Sequence, residues 1–273
     1  MTAAPIPPII YGTAWKGNET AHWVESALRH GYRGIDTAAQ PKHYHEPGVG
    51  EALKRALAGG LARDEVYVQT KFTPLSGQDP RRLPYDAEAS LTEQVRQSFA
   101  SSLQNLGVEQ LDALVLHSPL RSKADTLEVW AAMEGLADRG GVLRIGISNC
   151  YDPALLAWLH QCARVKPAIV QNRFYRDSGY DFEIRAFCRT QGIVYQSFWT
   201  LSANPKLLAS ATVVEIARRH QRTAAQVLFR YLNLEGVVPL TGTRSIVHMV
   251  QDLASFEFEL DAEERTEIET LLR

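Results

Sequence analysis

The chain has 273 residues, 45% hydrophobic and 22% charged, with a formal net charge of -2. This is a globular composition with length for a large core, without the basic surplus that would favour nucleic acid or an apolar run long enough to span a bilayer. Cys150, Cys162 and Cys188 form no C-x-x-C pair, and Met1-Thr2-Ala3-Ala4-Pro5 has no basic start or apolar h-region; a disulfide framework, a zinc knuckle and a secretory leader are therefore not expected, and a reducing cytoplasm fits best.

Short apolar runs alternate with helical patterns along the chain. Ile9 to Gly12 opens as a strand, and a helix follows over about Glu19 to His30 with Trp23, Ala27 and Leu28 on one face. Gly34 to Asp36 is the next strand. Val49 to Ala58 reads as a helix stopped by Gly59 and Gly60, with Gly48 and Gly50 forming the turn into it. Val66 to Lys71 is a strand, Leu91 to Leu106 the longest helix, ended by Gly107, and Leu111 to Leu116 a strand. Thr126 to Ala137 is helical.

The second half keeps the rhythm. Strands are expected at Leu143 to Ile147, Ala168 to Gln171, Ile193 to Ser197 and Gly236 to Pro239. Helices are expected at Pro153 to Ala163, Phe182 to Thr190, Ala211 to His220, Thr223 to Leu232, Ser245 to Leu253 and Ala262 to Leu272. The eight strand–helix units are the count that closes a (β/α)8 TIM barrel, and continuous apolar runs suit parallel strands buried on both faces. One domain over residues 1–273 is expected. An open doubly wound sheet would need a Gly-rich fingerprint after its first strand; Gly48-Val49-Gly50 lacks the third glycine and follows a loop.

Three of these strands end on Asp36, Lys71 and His117, and Tyr44 lies in the loop after Asp36. The C-terminal rim of a parallel barrel is where catalysis takes place. An acid, a phenol, an amine and an imidazole gathered there make a proton-transfer device. Phe72 to Ala89, with three prolines and no periodicity, is the longest loop and lies on the same rim.

Six segments resemble the aldo-keto reductase superfamily: Gly34-Ile35-Asp36-Thr37-Ala38, Thr70-Lys71, Leu116-His117-Ser118-Pro119, Gly146-Ile147-Ser148-Asn149, Val170-Gln171-Asn172 and Gly242-Thr243-Arg244. They occur in the family's order over nearly the whole chain. The resemblance implies an NAD(P)H-dependent reductase of aldehydes and ketones with Asp36, Tyr44, Lys71 and His117 as its catalytic set. In that scheme the Lys71 ammonium lowers the Tyr44 pKa, Asp36 fixes the ammonium, His117 orients the carbonyl oxygen, and Tyr44 is the general acid. The family's tyrosine usually follows the aspartate by five positions, which here is Pro41. The loop carries extra residues, and either Tyr44, its only phenol, or His43 fills the donor position.

The resemblance further implies a nicotinamide site of Ser148, Asn149 and Gln171, stacked on Phe198 or Trp199, with Leu201 beside it. The adenosine end falls on Thr241, Gly242, Thr243, Arg244, His248 and Asp252. Arg244 at a helix start suits a 2′-phosphate, so NADPH is expected, with NADH as the alternative. Trp15, Phe72, Ser118 and Trp199 would line the substrate pocket, and the partner would be a small-molecule carbonyl. Two other readings stay open: a cofactor-sensing subunit with little turnover, and a metal-dependent hydrolase using Asp36, His43, His45 and Glu46. A monomer or weak homo-oligomer is expected.

Overall fold

Eight parallel strands close into a barrel in chain order: β1 (Ile10–Gly12), β2 (Gly34–Asp36), β3 (Tyr67–Phe72), β4 (Ala113–Leu116), β5 (Ile145–Ser148), β6 (Ile169–Arg173), β7 (Val194–Phe198) and β8 (Val237–Thr241). β1 pairs with β8 through Ile10↔Leu240 and Tyr11↔Thr241, which closes the ring. The computed structural model describes residues 4–273; Met1 to Ala3, part of the segment read as leaderless, lie outside the described residues. The expected (β/α)8 barrel is what forms, and among the described residues no helix is long and apolar enough to cross a membrane.

The helices form for local reasons the chain states plainly. Leu91–Leu106 starts where the Ser90 hydroxyl accepts from Glu93 N–H and stops at Gly107, whose φ of 65° suits a residue without a side chain. Lys123–Asp138 begins a turn earlier than the apolar pattern suggests, because Ser122 caps it through Asp125 N–H. Glu46–Ala58 corrects the reading of Gly48 and Gly50 as a turn, since both lie inside the helix, whose cap is the His45 ring accepting from Gly48 N–H. A Cβ at Gly50 would run into the Asn105 carbonyl oxygen, so the glycine is what allows this helix to lie against Leu91–Leu106. The short helix Pro205–Leu208 has no counterpart in the sequence pattern.

Strand side chains alternate between the barrel interior and the surrounding helices. Outward residues such as Ile35, Val68, Leu114 and Val170 join the apolar layer beneath the helices. Inside, Ile10, Tyr67, Ala113, Ile169 and Leu240 form a separate apolar plug, with Ala4 and Ile6 packed on it. Above that plug the interior turns polar, and the functional residues begin there.

Candidate active site

Asp36, Gln69 and Lys71 reach the barrel interior from adjacent strands, with Asp36 in register with Gln69. Lys71 Nζ donates to both Asp36 oxygens, at 2.7 and 2.6 Å, and to the Thr37 carbonyl at 2.8 Å. All three ammonium hydrogens are thus used, on a side chain only 1% exposed. Burial pulls the Lys71 pKa down, against the opposing pull of Asp36.

Beneath the ion pair lies a glutamine layer of which the sequence named only Gln171, as a cofactor contact. Gln69 and Gln171 each donate from Nε2 to Asp36 Oδ1, at 2.6 and 2.9 Å, and each also donates to Gln196 Oε1. Gln196 returns a bond to Gln69 Oε1 at 3.0 Å, and Tyr67 Oη donates to the same oxygen at 2.8 Å. The period of two was the available signal, because Tyr67, Gln69 and Lys71 are alternate residues of β3. A buried carboxylate needs such donors to stay charged.

Tyr44 reaches the site from a loop tied down by Tyr44 N–H to the Gln40 carbonyl and Gln40 Nε2 to the Gly77 carbonyl. Its ring lies 5.2 Å from Lys71 Nζ and 6.0 Å from the His117 ring, edge to face. His43 takes a different place, its ring tilted against Trp15 at 3.7 Å between ring centroids. The structure brings Tyr44 against the lysine and imidazole, with His43 on the same cavity. Burial first, and the Asp36 charge second, push the Tyr44 pKa up, the opposite direction to the lowering by Lys71 that the resemblance implies.

His117 follows β4 and keeps its backbone in line through a bond from its N–H to the Phe72 carbonyl. Its Nδ1 is 2.6 Å from Thr73 Oγ1. Burial, followed by the nearby Lys71 and His43, lowers the His117 pKa well below the usual imidazole value. Each of these causes disfavours the charged imidazolium.

A cavity of about 620 Å³ runs over these groups, lined by Asp36, His43, Tyr44 and His117 at its base. Ser148, Asn149, Gln171, Phe198, Trp199 and Leu201 form one wall, and Trp15, Lys16, Thr241, Gly242, Thr243 and Arg244 the far end. Ser148 Oγ donates to the Gln171 carbonyl at 2.6 Å and Asn149 Nδ2 to the His117 carbonyl at 2.9 Å, so their donors also hold the rim together. Gln171, with both Nε2 hydrogens engaged, offers its Oε1 to the cavity.

Four expected site residues are not among those lining the cavity. Phe72 is the residue after inward-facing Lys71, so alternation sends it out among the helices, where it packs on Tyr85 at 5.6 Å. Ser118 does not line the cavity, since the chain is already leaving the rim toward the helix at Lys123–Asp138. Asp252 is buried behind the wall and accepts from Thr241 Oγ1 at 2.8 Å; burial pushes its pKa up to about 6. His248 also lies outside the lining, its Nδ1 3.5 Å from Thr243 Oγ1.

Conversely, Lys16 was overlooked. It follows Trp15 in the loop after β1, is 4% exposed, and donates to the Gly242 carbonyl at 2.8 Å. Two of its hydrogens remain for an anion. The residues considered for a metal do not converge: His45 caps a helix, while Glu46 turns away to accept from Thr70, Ser102 and Asn105. Among the described residues no cluster of three or more His, Cys, Asp or Glu has metal-binding geometry.

The family model described as the Aldo/keto reductase family matches residues 8–273. A glyoxal reductase of Bacillus subtilis (strain 168) is 30% identical over 255 residues, which cover 93% of this chain and 84% of the relative. Among solved structures, an aldo/keto reductase from Brucella melitensis is 28% identical with a TM-score of 0.82, covering 98% of this chain and 95% of the other. An aldo-keto reductase from a Medee basin deep-sea metagenome library has a TM-score of 0.83 at 26% identity, covering 98% and 92%.

Proposed function

The chain belongs to the aldo/keto reductase family, oxidoreductases that use NAD(P)H on small carbonyl substrates, and from that premise we propose that it reduces an aldehyde or ketone with NADPH, Tyr44 being the general acid. The observation that carries this reading is the meeting of Tyr44, Lys71 and His117 at the base of a cavity whose wall bears Ser148, Asn149, Gln171 and Phe198.

The cavity's chemistry fits a dinucleotide. Lys16 and Arg244 put two cations at one end, Phe198 offers a ring face for stacking, and Gln171 Oε1 is an acceptor for a carboxamide N–H. Ser148 and Asn149 complete that subsite by sharing bonds they now make within the rim. When bound, NADPH supplies the hydride. The remaining work falls to the protein. Tyr44 holds a proton on Oη and gives it to the alkoxide as charge develops there. Lys71, fixed by Asp36, keeps its ammonium over the Tyr44 ring and supports it by a cation–π contact. His117, neutral, donates a hydrogen bond to the carbonyl oxygen. Trp15, against the His43 ring, and Trp199 bound the space left for substrate. A small carbonyl suits that space, and glyoxal, for which the Bacillus relative is named, is the first to try.

Steady-state oxidation of NADPH with glyoxal, aromatic aldehydes and diketones tests the reading. Turnover that depends on the carbonyl is expected. Tight nucleotide binding without turnover would replace it with the sensor role.

The phosphate end yields two expected results. Arg244 now pairs with Glu19 at 3.4 Å and bonds the Trp15 carbonyl. Arg244→Ala should raise the KM for NADPH about tenfold, the scale of a charge-assisted hydrogen bond, with little change for NADH. Equal shifts for both nucleotides would remove Arg244 from the 2′-phosphate. For Lys16, burial and then the neighbouring Arg244 push the pKa down to about 8. The cation that attracts phosphate is present below that pH and lost above it. Hence kcat/KM for NADPH should decline above about pH 8, and a Lys16→Met enzyme should lack that limb; an identical profile in the variant would rule out Lys16 as its source.

A further inference from the structure

We propose that Thr73 is a positioning residue that locks His117 in the tautomer with its proton on Nε2, by donating the threonine hydroxyl hydrogen to Nδ1. The inference rests on the reductase reading for its kinetic consequence, and on geometry alone for the location of the proton.

Thr73 stands just beyond β3, 2% exposed and outside the cavity lining. Its Oγ1 lies 2.6 Å from His117 Nδ1, and among the described residues this is the only hydrogen bond that the oxygen makes. A hydroxyl carries one hydrogen to place, and a buried O–H left without an acceptor is costly. Nδ1 is the one acceptor within reach. A neutral imidazole has one N–H and one lone pair. If the threonine hydrogen points at Nδ1, that nitrogen supplies the lone pair and the ring proton resides on Nε2. Nε2 belongs to the edge of the ring away from Thr73, the edge left for the cavity that His117 lines.

The reverse tautomer fails twice. With hydrogen on Nδ1 the threonine hydroxyl would have no acceptor, and Nε2 would turn a lone pair toward the carbonyl oxygen, where attraction requires a donor. The side chain is also fixed in place. The Thr73 carbonyl accepts from Tyr85 Oη at 2.8 Å and Gln78 Nε2 at 3.3 Å. Its methyl Cγ2 lies 2.8 Å from where a Cβ at Gly77 would stand, so only a glycine there leaves the methyl its space. With the methyl against Gly77, the hydroxyl faces His117. The long proline-rich loop thus acts on the site from behind, through a residue that touches neither substrate nor nucleotide.

Nitrogen NMR of isotopically labelled histidine, with the His117 signals assigned by their loss in His117→Gln, reads the tautomer directly. The wild-type protein should show His117 Nδ1 unprotonated and Nε2 protonated. Thr73→Val keeps the shape and removes the donor; it should shift protons to Nδ1 and lower kcat/KM for the carbonyl about tenfold, the scale of one hydrogen bond in the transition state. NADPH affinity should not change, and Thr73→Ser should restore both tautomer and rate. A wild-type spectrum with the proton on Nδ1 overturns the proposal, as does a folded Thr73→Val whose tautomer and rate match wild type. Should Thr73→Val fail to fold, the wild-type and Thr73→Ser spectra decide it. Absence of carbonyl turnover in wild type would sink the reductase reading instead, while the spectrum still locates the proton.

Discussion

Replacing Tyr44 by Phe should lower kcat/KM for carbonyl reduction about 10²- to 10⁴-fold, the range that general acid catalysis contributes, while the dissociation constant for NADPH stays close to that of wild type. The aromatic ring would remain over Lys71 at 5.2 Å and against His117 at 6.0 Å, so the variant loses the Oη proton without losing the packing. Single-turnover reduction and nucleotide fluorescence titration separate the two effects. A variant that keeps most of its rate would take the proton-donor role from Tyr44, and His43, on the same cavity, would be tested next. The pH dependence follows in sign. Burial and Asp36 raise the Tyr44 pKa, so the neutral phenol that reduction needs persists as pH rises. Reduction at saturating nucleotide should show no alkaline limb from Tyr44 through the neutral range. Alcohol oxidation, which needs the phenolate, should climb with pH throughout.

The second large effect is on stability. Lys71→Met should destabilise the fold by about 3–5 kcal/mol, the usual result of removing one partner from a buried ion pair. The variant strands Asp36, 2% exposed, with only the Gln69 and Gln171 amides and no cation. Denaturant unfolding of the two proteins measures the loss. The double variant, Lys71→Met with Asp36→Asn, should recover part of the loss because no unpaired charge remains. A single-variant loss below about 1 kcal/mol would mean that the pair is solvated like a surface salt bridge.

Much of the barrel was legible because its information is local. Gly34 to Asp36 and Leu91 to Leu106 match the observed elements end to end, one bounded by an abrupt change from apolar to charged residues, the other by Ser90 and Gly107. The ends of β3 and β4 placed Lys71 and His117 on the rim for the same reason. Phe72 was misplaced although the signal existed, since a residue next to an inward lysine must face outward. Asp252 and Ser118 had no such local signal: whether they face the cavity depends on how a helix or loop leaves the rim. Thr73 and the glutamine layer were hidden because their partners are far away in sequence, as His117 is from Thr73 and Gln196 is from Gln69.

By itself, then, the order of residues determined the eight strand–helix units and the chemical types carried to the rim, because alternation, capping and stop signals act over a few neighbouring positions. Only the tertiary structure decided that the three hydrogens of Lys71 go to Asp36 and Thr37 and that the Tyr44 ring, rather than His43, lies over the lysine. Those outcomes depend on desolvation and on ångström-scale distances between groups from different strands, which exist only once the barrel has closed.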